Sequence, residues 1–211
     1  METAQADADE VALLSAQLER MRGMLGAYSA QFFLHMRAWS IVTIALLVAT
    51  RWEPLAPGVA IVPFLVPFVF LEASYLFFYT VFARRHAAAL ERTLNARLGR
   101  PVLHAHAIEA AYFYDPAAPK ISALSLGRPL GHMSAMTVGY SLGAALLWLA
   151  GLLLTHAWVG SLPADPGLAA LLVPGALAWT GAIVLYLLWT WLRRVDERRL
   201  EAGLAAAYPE R

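Results

Sequence analysis

GVAIVPFLVPFVFLEASYLFFYTVFA, Gly58–Ala83, is the stretch that decides the fold. It carries a single charged side chain, Glu72. It also exceeds the roughly 20 apolar residues that a helix needs to cross about 30 Å of hydrocarbon. Three further apolar stretches, 38–50, 132–154 and 167–192, complete a set of four. The first is short unless it takes in Phe32, Phe33 and Leu34, which brings His35 and Arg37 into or near the membrane. The expected fold is therefore all-α. It is a polytopic membrane protein with four transmembrane helices in two antiparallel hairpins, the first hairpin extended into the cytoplasm.

The flanking charges set the expected orientation. Of the 16 Lys and Arg residues, all but Arg51 fall in three segments. Arg20, Arg22 and Arg37 precede or open the first span. Arg84, Arg85, Arg92, Arg97, Arg100, Lys120 and Arg128 lie between the second and third. Arg193, Arg194, Arg198, Arg199 and Arg211 follow the fourth. Cytoplasmic segments retain Lys and Arg, so both termini are expected inside the cell, with the basic surface against anionic headgroups. Apolar residues make up 60% and charged residues 15%. Soluble domains average about 45–50% and about 25%. Charges that flank apolar spans do not form the basic face of a nucleic-acid binder. The absence of cysteine excludes disulfides and thiolate chemistry. The acidic start, Met1 to Glu10, lacks the basic and apolar parts of a cleaved signal. The Ala, Leu, Gly and Arg richness fits a GC-rich bacterial genome, and so a cell membrane, the bacterial inner membrane.

The first hairpin has long arms. Val11, Leu14, Leu18, Met21, Leu25, Tyr28 and Phe32 are spaced alternately by three and four residues, a coiled-coil-like seam. Ala87, Leu90, Leu94 and Leu98 continue a stripe beyond the second span, up to the C-cap signal Gly99-Arg100-Pro101. A turn centred on Pro54, Pro57 and Gly58 would pair residue i with about 109 − i. Each arm would measure about 65 Å at 1.5 Å per residue, twice the hydrocarbon thickness, so half should stand in water as a stalk. The chain divides accordingly. Residues 1–100 form the long hairpin and 101–131 a cytoplasmic connection. Residues 132–192 form the second hairpin and 193–211 a basic cytoplasmic tail. The connection is punctuated by Asp115-Pro-Ala-Ala-Pro119, Gly127, Pro129 and Gly131.

Glu72 is the sharpest candidate for chemistry. A carboxylate at mid-span must be paired, protonated or wetted. The 109 − i rule offers Arg37 as the partner, with His35, Tyr75 and Tyr79 in support. Pro63, Pro67 and Pro174 are candidate helix kinks, the first two freeing carbonyls near Val59 and Pro63. Ala135, Gly139 and Gly143 form a small-residue surface for close helix packing. His104, His106 and Glu109 are the lesser metal candidates; neither helix nor strand spacing aligns all three, and no metal or other cofactor is expected. Tyr112-Phe113-Tyr114 and the tryptophans at 52, 158, 189 and 191 fit interfacial aromatic belts.

Three functions fit. The first is a homo-oligomeric channel or pore for ions or small solutes, with Glu72 on or near the path. The second is a non-catalytic membrane scaffold that binds a cytoplasmic protein through residues 8–30 and 84–98. The third, a membrane-embedded lipid-modifying enzyme, needs a polar cluster that the sequence lacks.

Overall fold

The computed structural model describes residues 2–113, 120–121, 124–125, 132–162 and 167–209. It is helical throughout, apart from a two-residue antiparallel pairing of Lys120–Ile121 with Leu124–Ser125. The helices are α1 (Glu2–Ala49), α2 (Val62–Arg97), α3 (Ala105–Phe113), α4 (His132–Gly160), α5 (Leu172–Arg193) and α6 (Val195–Ala207). Short 3-10 segments, Glu53–Ile61 and Gly167–Leu171, lead into α2 and α5. Four helical segments are long and apolar enough to cross a membrane, which points to a membrane location. Arg128, Arg211, Tyr114, Asp115–Pro119, Gly127, Pro129 and Gly131 lie outside the described residues, as do the side chains of Tyr112 and Phe113.

The chain forms two compact units. Unit 1 comprises Met1–Phe32, Leu76–Ser134 and Arg193–Arg211; unit 2 comprises Phe33–Tyr75 and Ala135–Leu192. Their surfaces obey opposite rules. In unit 1, apolar side chains turn inward: Leu18, Met21, Ala87, Leu90 and Leu94 form a buried cluster, with Val11, Leu14, Met24, Phe82, Leu103 and Tyr208 packed on it. These include Val11, Leu14, Leu18 and Met21 of the seam and Ala87, Leu90 and Leu94 of the stripe read from the sequence; Leu98, the last stripe residue, is exposed. In unit 2, Leu34, Ile41, Leu142, Leu146, Leu153, Leu185 and Leu192 are among many large apolar side chains that face outward. Among the described residues, the exposed large apolar ones of unit 1 are Leu13, Leu98, Val102 and Ile108. An outward apolar surface is unfavourable in water and is what lipid requires.

The end of α2 shows how the sequence writes local structure. Gly99 takes φ +63°, the left-handed conformation that a residue with Cβ resists. The Gly99 N–H then donates to the Ala96 carbonyl and the Arg100 N–H to the Asn95 carbonyl, both at 3.2 Å, a Schellman cap. Asn95 fixes the next turn. Its Oδ1 accepts from the Val102 and Leu103 N–H groups, and its Nδ2 donates to the Leu103 carbonyl. The segment 193–211, read as a basic tail, contains the helix α6. It starts at Arg194 (φ 48°, ψ 38°), which also contacts Glu197 through Nε at 2.8 Å.

In unit 2, α2 and α4 meet at Gly151. A Cβ there would lie 2.8 Å from the Val62 Cβ, and Val62 is stiff about χ1 and fully buried. Gly139 and Gly143 have open space where a Cβ would stand, so the close approach falls at Gly151, the glycine two turns beyond that pair in the sequence reading. Ala135 is exposed. Gly151→Ala should therefore destabilise the protein by about 1–3 kcal/mol through overpacking. Gly139→Ala should be neutral or slightly stabilising, because helix propensity alone changes. Thermal unfolding of the purified protein in one detergent compares the two.

Candidate functional site

The heptad spacing that ends at Phe32 in the sequence reading runs on, by three and then four residues, to His35 and Trp39. This continuation decides who meets Glu72. His35 Nε2 lies 3.3 Å from Glu72 Oε2, whereas Arg37, two residues on and so about 200° around the helix, is exposed. Pairing at 109 − i holds for Phe32 and Phe77, whose rings lie 6.3 Å apart. Glu10 with Arg97, Tyr28 with Tyr79 and His35 with Glu72 each fall two residues short of it. The offset replaces a guanidinium by an imidazole beside the carboxylate.

The geometry of this contact is specific. At 3.3 Å the two atoms are within ion-contact range, yet Nε2 is buried and makes no hydrogen bond. The carboxylate thus lies off the imidazole N–H axis. The His35 side chain is 18% exposed and that of Glu72 42%. The His35 ring also stands edge-on to Trp39, centroids 6.2 Å apart and planes at 72°. Tyr75, one turn beyond Glu72, is exposed. Tyr79 belongs to unit 1, where its ring lies 5.1 Å from that of Tyr28. A cavity of about 100 Å³ in unit 2 is lined by Trp39, Ser40, Thr43, Gly139, Tyr140 and Gly143, among others.

The prolines fall differently from expectation. Pro63 is the second residue of α2 and Pro174 the third of α5, first-turn positions where the missing N–H costs no helical bond. Pro67 is the one proline beyond the first turn of a described α-helix. The Val59 carbonyl does receive donors: the Val62 N–H, and at 3.3 Å the buried Thr155 hydroxyl, which is shared with the Gly151 carbonyl at 2.7 Å. Trp179 Nε1 donates to the Phe64 carbonyl and Trp148 Nε1 to Thr180 Oγ1. In lipid each such group must find its partner within the protein.

Unit 1 holds its charges in pairs. Glu91 is buried; one oxygen meets Arg22 and the other accepts the His106 N–H at 3.0 Å, at the start of α3. Arg85 bridges to Glu197 and Glu201 on α6, and His86 Nε2 lies 2.8 Å from the Tyr208 hydroxyl. Glu109 pairs with Arg84 at 3.8 Å, and His104 is exposed. His104, His106 and Glu109 do not converge, and among the described residues no group of three His, Asp or Glu side chains could hold a metal ion. Glu91, Thr155, Glu197, Glu201 and Trp39 were missed in the sequence. The signal for Trp39 was the unbroken seam, and for Glu197 and Glu201 their spacing of four on one helix face. Glu91 and Thr155 act through long-range contacts that no local pattern encodes.

No family model, no curated protein and no solved structure matches the chain.

Two tests follow from the Glu91 cluster. Arg22→Ala strands a buried carboxylate and should cost about 3 kcal/mol in unfolding free energy, whereas Glu91→Gln keeps an acceptor for the His106 N–H and should cost less. Burial pushes the His106 imidazole below its usual range; Arg84 and Arg92 lower it too, against Glu91 and Glu109. The folded state thus holds this imidazole neutral while the unfolded chain takes up a proton near pH 6.5. Stability should fall as pH drops below about 6.5, and His106→Gln should flatten that fall in melts recorded from pH 7.5 to 5.

Proposed function

We propose that the chain is an integral membrane channel that assembles from several copies and passes ions or small solutes, with Glu72 on or near the path. In this reading the four apolar stretches lie in the bilayer as two antiparallel hairpins, the second stretch running from Gly58 to Ala83 and so holding Glu72 within the span. The arginine-bearing segments stand on the cytoplasmic side. A bacterial inner membrane fits the composition.

One observation carries the proposal. The Glu72 side chain is 42% exposed in the unit whose surface is otherwise mostly apolar. A carboxylate open to hydrocarbon costs several kcal/mol, so this face must meet water or polar groups. Further copies of the chain around a shared axis would supply both: the face turns inward, and a wet path runs past it. Tyr75 and Arg37, also exposed, add polar groups to the same unit.

The scaffold reading draws on unit 1, whose buried core and bridged arginines make a folded helical surface in water. There Glu72 only fixes register, and residues 8–30 and 84–98 bind a protein.

Mass measurement in detergent should give an oligomer, and proteoliposomes should show flux that Glu72→Gln reduces at least tenfold. A monomer, or flux indifferent to Glu72→Gln, contradicts the channel.

A further inference from the structure

We propose that the species carried is the proton, with His35 as its relay, Glu72 as its acceptor and Trp39 as its gate; the inference rests on the channel reading above. Three features lead to it. The first is the identity of the partner. A guanidinium beside Glu72 would stay charged under all conditions and make a fixed pair. An imidazole can take up and release a proton, and the His35 Nε2 sits 3.3 Å from the carboxylate with no hydrogen bond to hold it. The second is the ligand set. An alkali cation must replace its hydration shell with several oxygens, and each chain offers one carboxylate in unit 2 near this point. A proton needs only a succession of groups that accept and release it.

The third is what lies on either side. Trp39 follows His35 by four residues and shares its helix face, ring edge toward ring. Trp39 also lines the cavity that holds Ser40, Thr43 and Tyr140. That cavity is large enough for water and has hydroxyls to bind it. Trp39 therefore touches both a wettable space and the imidazole. Protonation of His35 puts a positive charge beside the indole and so changes the contact between the two rings.

The step balances as follows. Hydronium arriving past Trp39 gives a proton to Nδ1 and is left as water, and His35 becomes imidazolium. The Nε2–H bond breaks toward Glu72 Oε2, which becomes a carboxylic acid, and His35 is left neutral with its proton on Nδ1. The acid gives its proton to water on the far side and returns to carboxylate. A ring flip, or proton exchange with water, restores the starting tautomer. Glu72 on α2 faces His35; the next titratable or charged groups on the packed elements are Tyr75, one turn beyond Glu72, Arg37, two residues on along α1, and Tyr140 on α4, whose ring meets Phe33. Of these, Glu72 is the one in ion contact with the imidazole.

The test is flux into proteoliposomes that contain a pH-sensitive dye, with a valinomycin-clamped potassium gradient as the driving force. Sodium and potassium fluxes are measured in parallel on the same vesicles. The wild type should acidify the lumen without passing sodium. His35→Ala and His35→Gln should each lower proton flux at least tenfold. Added imidazole should restore it in His35→Ala, an effect that a merely unfolded variant cannot show. Trp39→Ala should raise the flux and weaken its dependence on pH. Proton flux that survives both His35 variants overturns the relay. Sodium or potassium flux that needs Glu72 but not His35 overturns the proton assignment while leaving the channel standing. No flux of any ion removes both.

Discussion

Hydrocarbon offers no hydrogen bond and no counter-charge, and the organisation of this chain follows from that constraint. In unit 2, whose outer surface is apolar, polar groups are tied off inside the protein. Ser40, Ser74 and Thr155 return their hydroxyls to carbonyls one turn back, and tryptophan N–H groups reach Phe64 and Thr180. In unit 1 the rule reverses, and leucines pack inward beneath bridged arginines. Glu72 is the point at which the first rule is strained. Its neighbour His35 answers only part of the demand, which is why the carboxylate carries the functional proposal.

The two units also differ in what specifies them. Unit 1 uses an apolar seam, a glycine cap and a buried carboxylate that binds Arg22 and the first turn of α3 together. The apolar seam excludes water and sets which faces meet. The Glu91 contacts are directional and fix which segments can occupy that core. Unit 2 also buries apolar side chains, Val59, Val62, Val66, Ile183 and Leu187 among them, but its exterior is apolar as well, so in lipid such burial discriminates little between inside and outside. Close backbone approach at Gly151 and satisfied polar groups take that role, as expected where lipid competes equally for apolar surface.

Much of this was legible in the sequence. The four apolar stretches, the seam from Val11 to Phe32, the stripe from Ala87 to Leu94 and the cap at Gly99 are local patterns, and periodicity reads them directly. The partner of Glu72 was less accessible. A register counted from the turn carries the uncertainty of the turn itself. Residues 53–61 form a 3-10 segment with a different rise per residue, so the count slipped by two and favoured Arg37 over His35. Continuing the seam instead of counting from the turn points to His35. Pro63 and Pro174 misled for a related reason: helix starts are harder to place than helix existence, and a proline reads as a kink only if the helix has already begun. Gly151, Glu91 and Thr155 owe their roles to residues 15 to 96 positions away in the chain, beyond any local signal.

The absence of cysteine gives a clean route to the partition between lipid and water. Single spin labels at Ile41, Leu142 and Leu185 in unit 2, and at Leu13, Val102 and Ile108 in unit 1, would report collisions with oxygen, which concentrates in hydrocarbon, and with a water-soluble nickel chelate. All six positions are exposed in the structure, so burial in protein does not confuse the comparison. The account predicts oxygen-dominated collisions at the first three and nickel-dominated collisions at the second three. Nickel-dominated collisions at Ile41, Leu142 and Leu185 would contradict it.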